Sequence, residues 1–569
     1  MPIAYRIVGL LIILAAAPVS HAGLIQGTNA GPIPDGTAVA PESYGAPRDV
    51  HFSASGLAAT VSTVEVVFSA NHSFIGDLRV TLIAPNGVEH LLFARTGATS
   101  AASFGFGQDL IAANLINFGD QVKDNWWTVA SSDLNVVPDS FSRTVISGGA
   151  GVSNPPPVTA LGDRFLGTPA NGIWTLRFED GVMQDTGEVI GAALAINAVG
   201  DEISVTNADD SGSGSLRAAM AAAAVGDLIT FAEPFFNSPR TITLATALPP
   251  AGPVLAIKGP GASRLTVRRA DAAADFSILD GTSSVGALSL QGFTVSNGKS
   301  VIGAGISSSI NTTLVDMVVS DNHCVDGTSG NTFGGGLLVL ASELWISRST
   351  FSGNVCSAGG GVYFGGTSET PQLRARIVNS TFSGNQGRRG GAFLHQCFEG
   401  ECQVDAESST FAENSATDVT AGIHVDAFGG FGTLMLRNSL LANPTGADLG
   451  AVKIGKGEAR VRSLGFNLSV DDGGGHLDQS SDQINASARL QALALKDSST
   501  PVHALTPTSD ALDGGHRGAR VADQRSQSRP IDLPLANVVG GDGSDIGAFE
   551  AIDLAELDDI FSNGLESLQ

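Results

Sequence analysis

Three groups of residues in this 569-residue chain have the types and spacing for chemistry. Arg388, Arg389, His395, Glu399, Glu401, Asp405, His424 and Asp426 crowd into one stretch and would gather over neighbouring turns of a repeat. Carboxylates beside basic groups suit polysaccharide cleavage, in which one group donates a proton and another, about 5–10 Å away, accepts one or attacks. Asp77, Asp180 and Asp185 offer hard oxygen donors for Ca²⁺, the one cofactor the chain suggests. Gly366-Thr367-Ser368 holds a serine among small residues, but Glu369-Thr370 follows where a nucleophile needs a small-residue helix start. Each group also has a plain structural reading. Arg388 and Arg389 beside Gly390 read as a solvated corner, His395 and His424 as exposed strand positions, and the three aspartates as solvated turn caps.

The elements that would position them repeat. Ser-Thr-Phe-Ser-Gly-Asn occurs at 349–354 and again at 380–385, with echoes ending at Asn322, Asn414 and Asn443. The asparagines Asn322, Asn354, Asn385, Asn414 and Asn443 are spaced by 32, 31, 29 and 29 residues. Glycines at 303 and 305, 334–336, 359–361, 390–391 and 422 keep the same beat. A fixed period of this length marks stacked units, none of which buries its own apolar face. Short apolar runs such as Gly361-Val362-Tyr363-Phe364, punctuated by Gly, Ser, Asn and Asp, read as strands, and the glycines exclude a helical solenoid. The repeat therefore predicts a parallel β-helix. Phe351, Phe382 and Phe411 would stack inside it, and the asparagines would form a ladder at a corner needing left-handed backbone.

Composition bounds the rest. A net charge of −25 with 15 % charged residues and 71 glycines describes an acidic, turn-rich β protein. Negative charge argues against nucleic acid and anionic membranes as partners. Residues 1–22 read as a Sec-type signal cleaved near Ala22, and no later stretch is long and apolar enough to span a membrane. The four cysteines suit an oxidising compartment. Cys324 and Cys356 follow consecutive ladder asparagines and would meet across coils, Cys397 and Cys402 would close a short loop, and the spacing does not suit a metal site.

Ahead of the repeat, after a lead-in over 23–46, many short strands at 47–199 predict a β-sandwich. The run Ile75-Gly76-Asp77-Leu78-Arg79-Val80-Thr81-Leu82-Ile83, then Pro85 and Gly87, resembles the P domain (P/Homo B domain) of proprotein convertases and bacterial subtilisin-like proteases. So do Asn171-Gly172-Ile173-Trp174-Thr175-Leu176-Arg177 and Asp185-Thr186-Gly187. The resemblance implies a jelly-roll sandwich over roughly 32–199 that accompanies a protease. No histidine here is followed by glycine, as that protease's catalytic motif requires. Residues 203–231, with Gly214-Ser215-Leu216-Arg217, resemble the entry of bacterial surface β-helix proteins, whose short helix would cap the first coil. Asp523-Gln524-Arg525, Arg529-Pro530 and Asp545-Ile546-Gly547-Ala548-Phe549-Glu550 resemble the closing segment of choice-of-anchor Q proteins, and 551–569 would be a tail.

The fold class is thus all-β: a jelly-roll β-sandwich, then a single-stranded parallel β-helix over 203–550 with a short helical cap. The function expected is a secreted or surface-displayed bacterial protein without catalysis of its own, binding a surface glycan or a protein ligand or serving as a scaffold. The alternatives are a polysaccharide lyase or hydrolase working on a solenoid face, and a module acting beside a separate protease.

Overall fold

In the computed structural model, residues 24–131, 135–252, 254–281, 286–325, 332–366, 372–518, 520–554 and 557 are described. The signal-like stretch, Thr367 and Ser368 of the glycine-threonine-serine run, and most of the 551–569 tail lie outside them. The protein is all-β, 44 % strand and 4 % helix. It divides into two compact units, 1–202 with 224–228, and 203–223 with 229–569.

In the first unit, one sheet runs in the order Ile25–Gln26, Gly187–Val199, Thr60–His72, Ile116–Phe118, Ser140–Ser142. Gly31–Ile33 also pairs with Gly187–Val199, so part of the lead-in is built into this sheet. A second sheet runs Arg48–Ala54, Gly172–Asp180, Leu78–Ile83, Glu89–Ala94, all antiparallel. Alternation along Gly172–Asp180 turns Trp174, Leu176 and Phe178 inward. The two sheets meet ring to ring, Phe178 on Phe68 at 5.1 Å and Phe93 on Phe118 at 5.7 Å. All four rings are fully buried, each stabilising by about 2–3 kcal/mol.

The second unit is a β-solenoid of about nine turns. Three parallel sheets line it, the longest spanning ten strands from Glu202–Val205 to Glu458–Ser463, with companions of nine and eight strands among the described residues. Ser215 caps the helix Leu216–Ala222, whose Leu216, Ala219 and Met220 join the solenoid core. The far edge strand carries Glu458, Arg460 and Arg462, charges that discourage further strand pairing. Phe351, Phe382 and Phe411 occupy equivalent register positions, stacked at 4.9 Å with interplanar angles of 5° and 16°, and fully buried.

The asparagine ladder runs in one direction. Each Oδ1 accepts both the backbone N–H and the Nδ2–H of the asparagine one coil earlier, from Asn322 onto Asn354 through to Asn414 onto Asn443. It ends on the buried carboxylate of Asp448, which accepts from Asn443 N and Nδ2. The ladder asparagines themselves do not adopt left-handed backbone. That conformation falls one residue earlier, at Asp321 (φ 54°), Gly353 (64°), Gly384 (64°) and Glu413 (59°). The corner expectation is corrected accordingly. The strain sits on the exposed side of the turn, and the amides point inward to satisfy backbone groups that water cannot reach. A second left-handed corner recurs at Asp316, Arg348, Asn379, Ser408 and Asn438.

Residues 488–551 do more than close the last coil. They lie back along the outer face of the nine-stranded sheet: Thr350 Oγ1 donates to Pro501 O at 2.7 Å, Thr381 Oγ1 to Gln524 Oε1 at 2.7 Å, and Ala548 N to Thr410 Oγ1 at 3.0 Å. Gln524 Nε2 also reaches Thr350 and Thr500. A separate apolar core, including Leu440, Leu468, Val502, Ile546 and Phe549, forms beneath this strap. Disulfides join Cys324 to Cys356 and Cys397 to Cys402.

Candidate functional site

The acid–base residues singled out above are divided among five environments. Strands Phe393–Cys397 and Ser415–Ala427 lie side by side in the eight-stranded sheet, with Leu394 opposite His424 and Gln396 opposite Asp426. Alternation turns Phe393, His395 and Cys397 one way and Leu394 and Gln396 the other. Phe393 and Cys397 belong to the solenoid core, so His395 points inward.

On the outer row, Asp426 is the hub. Its Oδ1 accepts from Arg389 Nη2 at 2.6 Å and lies 3.1 Å from His424 Nε2, while Oδ2 accepts from Gln396 Nε2 at 3.0 Å. Tyr363 donates its hydroxyl to Gln396 Oε1 at 2.5 Å. Thr420 Oγ1 stands 2.9 Å from His424 Nδ1. With Nε2–H directed at the carboxylate, His424 Nδ1 accepts the threonine proton, a hydroxyl–imidazole–carboxylate relay of the kind that activates nucleophiles. The relay is closed to substrate. Thr420 is 3 % exposed, and a Cβ placed on Gly450, in the next coil, would lie 2.1 Å from its Oγ1. Burial raises the pKa of Asp426, but hydrogen bonds from His424 and Gln396, with nearby positive charge, outweigh it and hold the carboxyl below its ordinary range.

The expectation that His395 and His424 are exposed strand positions is corrected: they are 0 % and 1 % exposed. His424 is covered because its outer row is packed over, and His395 because it lies in the core. The His395 ring stacks on Phe364 at 5.2 Å, and its Nδ1–H donates to Phe364 O at 3.0 Å. Its Nε2 is buried with no hydrogen-bond partner, and burial drives its pKa down to about 4.

The other candidates stand apart from this hub. Arg388 pairs with Asp418 at 2.7 Å in solvent. Glu399 and Glu401 are exposed on the loop closed by Cys397 and Cys402. Asp405 belongs to the ten-stranded sheet, where Gln403 Nε2 bonds both its oxygens at 2.8 and 3.0 Å. Burial raises its pKa against the opposing charge of Arg376. The candidates therefore form no single groove.

In the first unit, Asp180 is fully buried; its Oδ2 lies 3.1 Å from His72 Nε2, and its Oδ1 accepts from Val182 N. Asp185 Oδ1 accepts from Ser73 Oγ at 2.7 Å. Asp77 is 4 % exposed and its Oδ1 has no partner. Burial first, then the charges of Asp180 and Asp185, a hydrogen bond to Asp185 and the charge of Asp35 push its pKa up to about 8. Among the described residues no three or more His, Cys, Asp or Glu side chains converge as a ready metal cage. The expectation of solvated turn caps is corrected for Asp77 and Asp180, which are buried, Asp180 at the end of strand Gly172–Asp180; nothing in the sequence distinguished them from the half-buried Asp185. Sequence reasoning missed Thr420, Gln396 and Tyr363, since none carries a motif.

A family model described as the proprotein convertase P-domain matches residues 61–112. That span holds the Ile75-Gly76-Asp77 run, while the Asn171-Gly172 run lies beyond it. Among solved structures, the crystal structure of the serine protease of Aeromonas sobria aligns at 15 % identity and a TM-score of 0.16, covering 32 % of this chain and 27 % of that one. The chain thus spans about a quarter of the length of the structure it matches. No curated protein matches the chain.

Proposed function

We propose that the chain is a secreted or surface-displayed module that binds or scaffolds without catalysis of its own, with the solenoid as its rigid display surface. The observation that carries this reading is the condition of the relay at Asp426. Its residues have the chemistry for acid–base catalysis, yet every member is held by neighbours in the fold and the hydroxyl is walled by backbone. Two disulfides are consistent with an oxidising compartment outside the cytoplasm. The closing segment's resemblance to choice-of-anchor proteins supports display at a bacterial surface.

A screen of the purified protein on acidic and neutral glycans tests it. The expected result is retention of a glycan or surface protein with no release of shorter products, and turnover of any glycan would overturn it. The match at 61–112 favours a second reading, a module that assists a separately encoded subtilisin-like protease. Adding the protein to such a protease and following its heat inactivation distinguishes the two, because a bystander leaves the half-life unchanged.

A further inference from the structure

Of the outer faces of the solenoid's three sheets, the strap covers one and a packed row closes another. On the nine-stranded sheet the strap bonds to Thr350, Thr381 and Thr410. On the eight-stranded sheet the outward Leu338, Tyr363, Leu394 and His424 are buried. The ten-stranded sheet differs over its last four strands, Gln372–Val378, Glu401–Glu407, Phe431–Arg437 and Glu458–Ser463. Alternation sends Ala375, Val404 and Leu434 into the core and the side chains between such residues outward. Two rows of register partners cross this face. Arg374, Gln403, Thr433 and Arg460 form one, and Arg376, Asp405, Met435 and Arg462 the next, all at least partly exposed. Each row begins and ends on an arginine, the two ends about 14 Å apart at the ordinary strand spacing.

The local charge opposes that of the chain. With Arg437 in a third row, the face carries five arginines against Asp405 and Glu407, in a protein of net charge −25. Glu407 is already matched, at 3.3 Å from both Arg376 and Arg520, and Gln403 bonds both oxygens of Asp405. Glu343, Glu401 and Glu458 lie at the margins. Charges act over about 8 Å at physiological ionic strength, so the surplus on this face outweighs the distant acids. Guanidinium groups pair with carboxylate or sulfate through two parallel bonds, and Gln403 and Thr433 between them can bond hydroxyls. Phe431 stands 57 % exposed at the edge, an apolar surface for the less polar side of a sugar ring. We propose that this face binds an acidic polysaccharide laid across the strands, an inference that deepens the binding role proposed above and rests on it. Nucleic acid fits less well, because its closely spaced phosphates would meet the marginal acids. Carboxylates spaced along a glycan reach the two arginine ends and leave hydroxyls for the middle.

The test follows retention of the full chain by affinity electrophoresis. Polygalacturonate and dextran sulfate are the acidic probes, dextran the neutral one, and single-stranded DNA the control for charge alone. At least one acidic glycan should be retained tenfold or more tightly than dextran or DNA, without cleavage, and less so as salt rises. Arg374→Gln combined with Arg460→Gln should weaken that retention at least tenfold, while Arg388→Gln, at an exposed ion pair elsewhere, should leave it unchanged. If the double variant fails to fold, Arg462→Gln decides, and should weaken retention several-fold. Retention of dextran alone, equal retention of DNA, or acidic binding untouched by the arginine variants would overturn the proposal and leave a binding module standing. No retention of either acidic glycan would overturn it too, whereas the binding role itself falls only if the wider screen of glycans and surface proteins is also blank.

Discussion

At the residue scale, His395 shows how a polar side chain can mislead. In the sequence it sits beside Gln396 and ahead of the glutamates, and looks available. In the fold it lies on the inward side of a pleat, stacked on Phe364. Its cost is deferred to low pH. The folded-state pKa, lowered to about 4 from an ordinary 6.5, means the unfolded chain takes up the proton first. This contribution to stability is whole above pH 6.5 and is lost progressively as pH falls towards 4, by up to about 3 kcal/mol. Urea unfolding of His395→Phe between pH 7 and 4 should show a flatter loss than the parent chain. Identical slopes would mean the histidine is not the group responsible. Asp426 escapes this penalty because its neighbours pair it.

At the element scale, the coil is legible wherever the same residue type performs the same task. Phenylalanine recurs because the core slot has one size, and asparagine because its short amide accepts from the coil before and donates to the coil after at once. The second left-handed corner was illegible, because Asp316, Arg348, Asn379, Ser408 and Asn438 share a backbone conformation and no side-chain chemistry. The corner ahead of the ladder suggests a direct test. Gly353 and Gly384 take φ of 64° without strain, but exposed Glu413 takes 59° with a Cβ. Glu413→Gly should relieve about 1 kcal/mol of strain, offset in part by added freedom of the unfolded chain. The expected outcome in thermal unfolding is a small rise, and a fall of more than a degree or two would show that the corner is not strained. The division of the acid–base candidates could not be read from spacing. It depends on which strand each joins and which side of the pleat it takes.

At the scale of the whole molecule, the strap over 488–551 was the least legible part. It has no period, and its decisive contacts, such as Gln524 with Thr350, join residues 174 apart. Its motif residues are structural. Asp523 pairs with Arg525 at 2.9 Å and Glu550 with Arg529 at 2.9 Å, all of them buried. Burial pushes Asp545 up to about 7 and Glu550 to about 8, against the attraction of Arg529. Because both folded-state pKa values lie above their ordinary ones, the stabilisation is present below pH 4 and is lost as pH rises through 7 and 8. The unfolding temperature of the solenoid should therefore fall as pH rises from about 4 to 8 and level off above that, and Glu550→Gln should remove much of that fall. A variant that keeps the full fall would place its origin elsewhere.

The strap also sets an order of events for a chain synthesised from its N-terminal end. Coils around Thr350 to Leu440 are synthesised well before the segment that covers them, so their threonine-bearing flank stays bare until Glu550 has emerged. Any factor that holds the growing chain would find that flank open only during this interval, and the finished protein would no longer offer it.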